Sequence, residues 1–90
     1  MRAVDTNVLI RLITRDDERQ FAVAKAYVAN GAWVSTVVLA ETSWVLRSAF
    51  DLGHDEIATV VEMLMSQEHL SLQDPEVVSA ALAQYRAAPS

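Results

Sequence analysis

Two carboxylates in this sequence stand where chemistry is possible. Asp5 closes the short apolar opening Arg2-Ala3-Val4 and is followed by two more polar groups, Thr6 and Asn7. If that opening is a strand of a parallel sheet, Asp5 lies beyond its carboxyl end, where open α/β sheets bind ligands. Glu41 falls in an otherwise apolar run, with Val37, Val38, Trp44 and Val45 three or four residues away on either side. A carboxylate in such surroundings is expensive to bury unless it is paired, protonated or bound to a cation. Two carboxylates brought together repel each other unless a divalent cation sits between them. The chain has no cysteine and no useful pair of histidines, so hard oxygen donors favour Mg²⁺ or Mn²⁺ over zinc. Both acids also admit a purely local reading. Asp5, Thr6 or Asn7 could cap a following helix, and Glu41 could face solvent or pair with Arg47 on its own helix.

For the two acids to meet, the elements carrying them must be neighbours. After the opening strand, Val8 to Ile13 is apolar around most of a helix. A second helix starts near Asp16-Asp17-Glu18, carries Phe21, Ala24 and Val28 on one stripe, and stops at Asn30-Gly31. Ala32-Trp33-Val34 reads as a second strand, and Ser35 or Thr36 begins a helix that runs to about Phe50. Beyond Gly53-His54, the spacing of Ile57, Val60, Val61, Leu64 and Met65 predicts an amphipathic helix. His69 to Leu72 is a third strand, and Asp74-Pro75-Glu76 supplies a cap, a first-turn Pro and a first-turn acid for a last helix. The order is βααβααβα. Strands separated by helical pairs need crossovers, which predicts an α/β fold: a short parallel sheet flanked by helices in three layers. Such a sheet leaves unpaired edges, and no returning strand precedes Ala88-Pro89-Ser90, so residues 1–90 are expected to form a single domain that is incomplete at its carboxyl end.

Composition narrows the function classes. Ninety residues, 52% hydrophobic and 21% charged with two Gly and two Pro, describe one folded domain and exclude disordered or repetitive chains. The absence of cysteine removes disulfide frameworks, thiolate metal sites and thiol nucleophiles. No apolar run exceeds four residues, so neither a membrane span nor a signal peptide is expected, and the expected location is the cytoplasm. A net charge of −5 argues against a generic coat for nucleic-acid phosphates. The charge is uneven, however: residues 1–25 carry five of the seven basic side chains against four acids. That third is the anion-facing side, with Arg11, Arg15 and Arg19 as phosphate-facing candidates or as solvated surface charge. His54 and His69 read as structural or solvated groups, and the aromatic residues Trp33, Trp44, Phe21 and Tyr85 as core or subunit contacts, as does the Met63-Leu64-Met65 run.

The stretches Met1-Arg2-Ala3-Val4-Asp5-Thr6-Asn7-Val8-Leu9-Ile10-Arg11-Leu12 and Trp33-Val34-Ser35-Thr36-Val37-Val38-Leu39-Ala40-Glu41-Thr42 resemble a PIN-domain protein, and more narrowly the VapC-type toxins. The likeness continues through Trp44-Val45-Leu46-Arg47 and the helix start at Asp74-Pro75-Glu76. It implies that Asp5 and Glu41 correspond to two acidic metal ligands, with Thr6 and Asn7 as polar support. It further implies, for the complete protein, a Mg²⁺- or Mn²⁺-dependent endoribonuclease of a toxin-antitoxin system, a homodimer neutralised by a VapB-type antitoxin. A cation that acidifies its water and offsets charge on phosphate reconciles an acidic pocket with a polyanionic substrate. PIN proteins normally continue into a segment with further acids. Asp74 and Glu76 do not replace them, because both are explained as helix-start residues.

Two other classes compete. A non-catalytic PIN-like module for dimerisation or antitoxin binding would need only the apolar helices. An aspartate-nucleophile phosphatase also begins with Asp after a first strand, but Asn7 stands where such enzymes keep a second Asp.

Overall fold

The computed structural model describes residues 2–88, so Met1, Pro89 and Ser90 lie outside the described residues. The elements follow in the order β1 (Arg2–Ala3), α1 (Thr6–Thr14), α2 (Glu18–Val28), β2 (Ala32–Val34), α3 (Thr36–Ala49), α4 (His54–Ser66), β3 (Leu70–Leu72) and α5 (Pro75–Ala87). This is the expected βααβααβα chain, and its boundaries have local causes. Asp5, Asp17 and Ser35 each accept a backbone N–H from three residues downstream, at 2.9, 3.0 and 3.1 Å. Each thereby satisfies one of the donors that a helix start leaves unpaired. At α4 the Glu56 carboxylate reaches back to the Gly53 N–H at 2.9 Å. After α2 the chain turns through Gly31 at φ 96, a conformation that glycine adopts without strain.

The three strands form one parallel sheet in the order β1-β2-β3. In register, Arg2 faces Ala32 and Ala32 faces Leu70, while Ala3 faces Trp33 and Trp33 faces Ser71. Helices flank the sheet. Val4, Ala32, Val34 and Leu70 are buried in a core shared with Leu9, Val28, Leu39, Leu64 and Val78, so every helix contributes at least one side chain to it. Ala3, Trp33 and Ser71, which share the alternate sheet positions, are exposed. Burial of each large aliphatic side chain contributes about 1.5–3 kcal/mol, and this is the main stabilising term in a chain without disulfides.

Of the two alternatives for Trp44 and Met63, core or subunit contact, only the second stands: they are 70% and 52% exposed. On α3 the inward positions are Leu39, Thr42 and Leu46. The Thr42 hydroxyl, buried without cost, donates to the Val38 carbonyl at 2.7 Å. Helix α5 buries only Val78 and is tied to α4 by Arg86, which donates to Glu62 at 2.8 Å, and by Tyr85 stacked on His54 with ring centroids 4.0 Å apart.

Leu9 is fully buried, and Leu9→Ala is expected to cost about 3 kcal/mol in urea unfolding. The hydrogen bond and charge of Arg86 hold the Glu62 carboxyl below its usual range. The native carboxylate therefore loses its charge at lower pH than the unfolded one. The tie is present at neutral pH and is lost as the pH falls through the native value. Glu62→Gln should remove this part of the acid sensitivity, read as a flatter dependence of the urea midpoint on pH below the ordinary carboxylate range.

Candidate functional site

In a parallel sheet all strands end on the same side, and here the ends of β1 and β2 are neighbours. The Val4 N–H donates to the Trp33 carbonyl at 2.9 Å, which carries the pairing to the residue before Asp5. β1 then runs into α1 and β2 into α3, and these two helices pack on each other. Asp5 stands at the start of α1 and Glu41 in the second turn of α3. The fold thus puts the two acids on adjoining elements that start from one end of the sheet.

The local reading of Asp5 is realised: it is the N-cap of α1, and its Oδ1 accepts the Val8 N–H at 2.9 Å. Capping uses one carboxylate oxygen, and the side chain is exposed. Thr6 and Asn7 are the first two residues of α1, half-buried and exposed respectively, and no side-chain hydrogen bond joins either to Asp5 among the described residues. Glu41 takes the solvent-facing alternative. It is exposed, and its apolar neighbours Val37 and Trp44 are 67% and 70% exposed, so its helix face looks outward. No burial cost demands a cation there. It does not pair with Arg47 either, and no bond links it to Asp5, among the described residues.

The donor set decides what cation these residues suit. Among the described residues no group of three or more His, Cys, Asp or Glu could hold a metal ion. Two accessible carboxylates suit a hard cation that keeps most of its water and takes the rest of its shell from substrate phosphates, the usual habit of Mg²⁺. Asp74 and Glu76 open α5 after β3, which β2 separates from β1, and the Asp74 side chain makes no capping hydrogen bond. His54 begins α4, with its Nε2 buried, and His69 is exposed before β3; among the described residues the His54 Nε2 has no hydrogen-bond partner and neither histidine joins the acids in a metal-binding group.

Compared with protein families, the chain matches the PIN domain over residues 2–89. It belongs to the PIN domain family. PIN domains are generally metal-dependent nucleases that act on RNA or DNA and normally use divalent ions. No curated protein and no solved structure matches the chain. Among the described residues of this PIN domain, no helix is long and apolar enough to cross a membrane.

One polar residue at this end of the sheet escaped the sequence reading. Gln73 follows β3 directly, and its Oε1 accepts both the Thr36 N–H and the Thr36 hydroxyl at 3.1 Å. The available signal was its position, a polar residue just past a strand. The basic candidates divide. Arg15 stands in the left-handed region at φ 51 with its guanidinium 4.0 Å above the Phe21 ring, while Arg11 lies in the last turn of α1 and Arg19 is exposed on α2.

Asp5→Asn keeps the capping oxygen and removes the charge, whereas Asp5→Ala removes both. In urea unfolding Asp5→Ala is expected to lose about 1 kcal/mol and Asp5→Asn only a few tenths. Equal losses would show that charge at the helix start, not the hydrogen bond, stabilises α1.

Proposed function

We propose that this PIN domain is a VapC-like endoribonuclease of a toxin-antitoxin system, dependent on Mg²⁺ or Mn²⁺ held by Asp5 and Glu41. The observation that carries this reading is the alignment of β1 and β2, each running into a helix that bears one of the acids. The resemblance of residues 1–12 and 33–42 to VapC-type toxins supports RNA as the substrate. Bound at these residues, the cation would supply a more acidic water and neutralise charge on the phosphate. The side chains have separate tasks. Val8 holds Asp5 through one oxygen, which fixes its orientation and leaves the other free to bind. Glu41, without a protein partner among the described residues, can turn toward the phosphate-bound ion. Thr6 and Asn7 support Asp5 as the first residues of the helix it caps.

The partners in this reading are an acidic antitoxin segment and a second copy of the chain. A cleft of about 400 Å³ between α1–α2 and α4 has an apolar lining that includes Leu12, Phe21 and Met63, with Arg15 and Lys25 beside it, which suits an acidic amphipathic segment. A second groove of about 280 Å³, lined by Leu39, Ile57, Val78 and Leu82, lies among α3, α4 and α5. Exposed Val37, Trp44 and Val77 on α3 and α5 supply the apolar surface a homodimer would cover. The cytoplasm, where the RNA substrate is, is the proposed location, and the 90 residues are taken as one domain.

A second reading, a non-catalytic PIN-like module for dimerisation or antitoxin binding, is favoured by one observation: fewer than three metal-ligating side chains gather at any point among the described residues.

Mn²⁺ titration and RNA cleavage of the wild-type chain, Asp5→Asn and Glu41→Gln separate the two. The nuclease reading expects each variant to bind Mn²⁺ at least about tenfold more weakly and to lose a cleavage activity that chelation abolishes. Equal Mn²⁺ affinity in all three proteins, without cleavage, would leave the module.

A further inference from the structure

We propose that Gln73 is a positioning residue for the acid pair: it clamps the corner between β2 and α3 and so sets where Glu41 stands relative to Asp5. The inference rests on the reading of Asp5 and Glu41 as joint cation ligands. Gln73 makes three hydrogen bonds across this corner. Its backbone N–H donates to the Val34 carbonyl at 2.9 Å, which extends the β2–β3 pairing past the last strand residue. Its side-chain Oε1 accepts from the Thr36 N–H and the Thr36 hydroxyl. Ser35 already satisfies the Val38 N–H. Gln73 takes the first helical N–H, a donor that has no acceptor within its own helix. The start of α3 is therefore fixed from two directions, by its own cap and by a residue of the neighbouring strand's end.

Geometry turns this clamp into a lever. Glu41 lies five residues beyond Thr36, and at about 1.5 Å per residue a tilt of about 10° at the corner moves it by about 1.3 Å. Displacements near 1 Å at a reacting centre can cost about a hundredfold in rate. The buried side chains Leu39, Thr42 and Leu46 hold α3 against the core, but the corner sets the angle at which it leaves the sheet. Asp5, by contrast, is fixed by its own helix through Val8. The carboxylate bond that orients Asp5 is local, whereas the start of α3 is held also by a side chain 37 positions away.

Amide exchange at Thr36 and Mn²⁺ titration, on the wild-type chain, Gln73→Leu and Gln73→Glu, test the inference, with circular dichroism confirming that each variant folds. In Gln73→Leu, Thr36 should exchange at least about tenfold faster and Mn²⁺ should bind about tenfold more weakly, since both acceptor bonds are gone. Gln73→Glu keeps an acceptor oxygen in place and should restore slow exchange and at least wild-type affinity. Faster exchange with unchanged Mn²⁺ affinity in Gln73→Leu overturns the positioning role and leaves the acid pair standing. Unchanged exchange overturns the clamp itself. A wild-type chain that does not bind Mn²⁺ overturns the acid pair, and the inference falls with it.

Discussion

The parallel ladder of β2 with its two neighbours is the constraint on which the rest of the molecule depends. The ladder is short, pairing Arg2 and Ala3 with Ala32 and Trp33, and Ala32 to Val34 with Leu70 to Leu72. Because the pairing is parallel and nearly flush, Asp5, Ser35 and Gln73 leave the sheet side by side. Each then acts on a helix start: Asp5 caps α1, Ser35 caps α3, and Gln73 braces α3 from outside. Shifting β3 by one residue would turn Leu70 out of the core and carry Ser71 inward. Core packing and the polar end of the sheet are thus two results of one register.

Most of the fold was legible because the chain marks its element boundaries chemically. Asp17, Ser35 and Pro75 open helices, and Gly31 closes the turn after α2 in a conformation most residues avoid. The candidate site was legible at Asp5, where a polar residue directly after a strand has few possible positions. Glu41 was placed on the right element, but buried and solvent-facing surroundings both stayed open, and the reason lies in α3 itself. Its apolar residues Val37, Val38, Leu39, Trp44, Val45 and Leu46 spread over more than half of the circumference, too wide an arc for periodicity to pick out the inner face. The core selected Leu39, Thr42 and Leu46, a line with a polar member, and turned Val37, Glu41 and Trp44 outward. Gln73 was illegible for a different reason. Its bonds reach a residue 37 positions away, and no local pattern carries that pairing.

The outward face of α3 joins two properties that usually exclude each other. Glu41 there is accessible to ions and phosphate, while Val37 and Trp44 beside it are apolar surface of the kind that marks an interaction site. Under the proposed reading the same helix serves the acid pair and a subunit contact, so a partner seated on α3 would limit the directions in which Glu41 can turn. Occupancy of the interface and behaviour of the acid would then be coupled through one rigid element.

Exposure of both acids also fits the size of the domain. A folded chain of this length has a stability of roughly 5–13 kcal/mol. Breaking a buried ion pair by removing one partner costs about 3–5 kcal/mol, because the charge left behind is buried and uncompensated. A buried carboxylate cluster awaiting its cation would impose a comparable penalty on so small a core. Asp5 and Glu41 avoid it by remaining hydrated in the free protein. Under the proposed reading the free protein still binds the cation, and substrate strengthens that hold. In the proposed reaction, RNA phosphate would complete the ion's shell, so that cation and nucleic acid bind together and each strengthens the other's affinity.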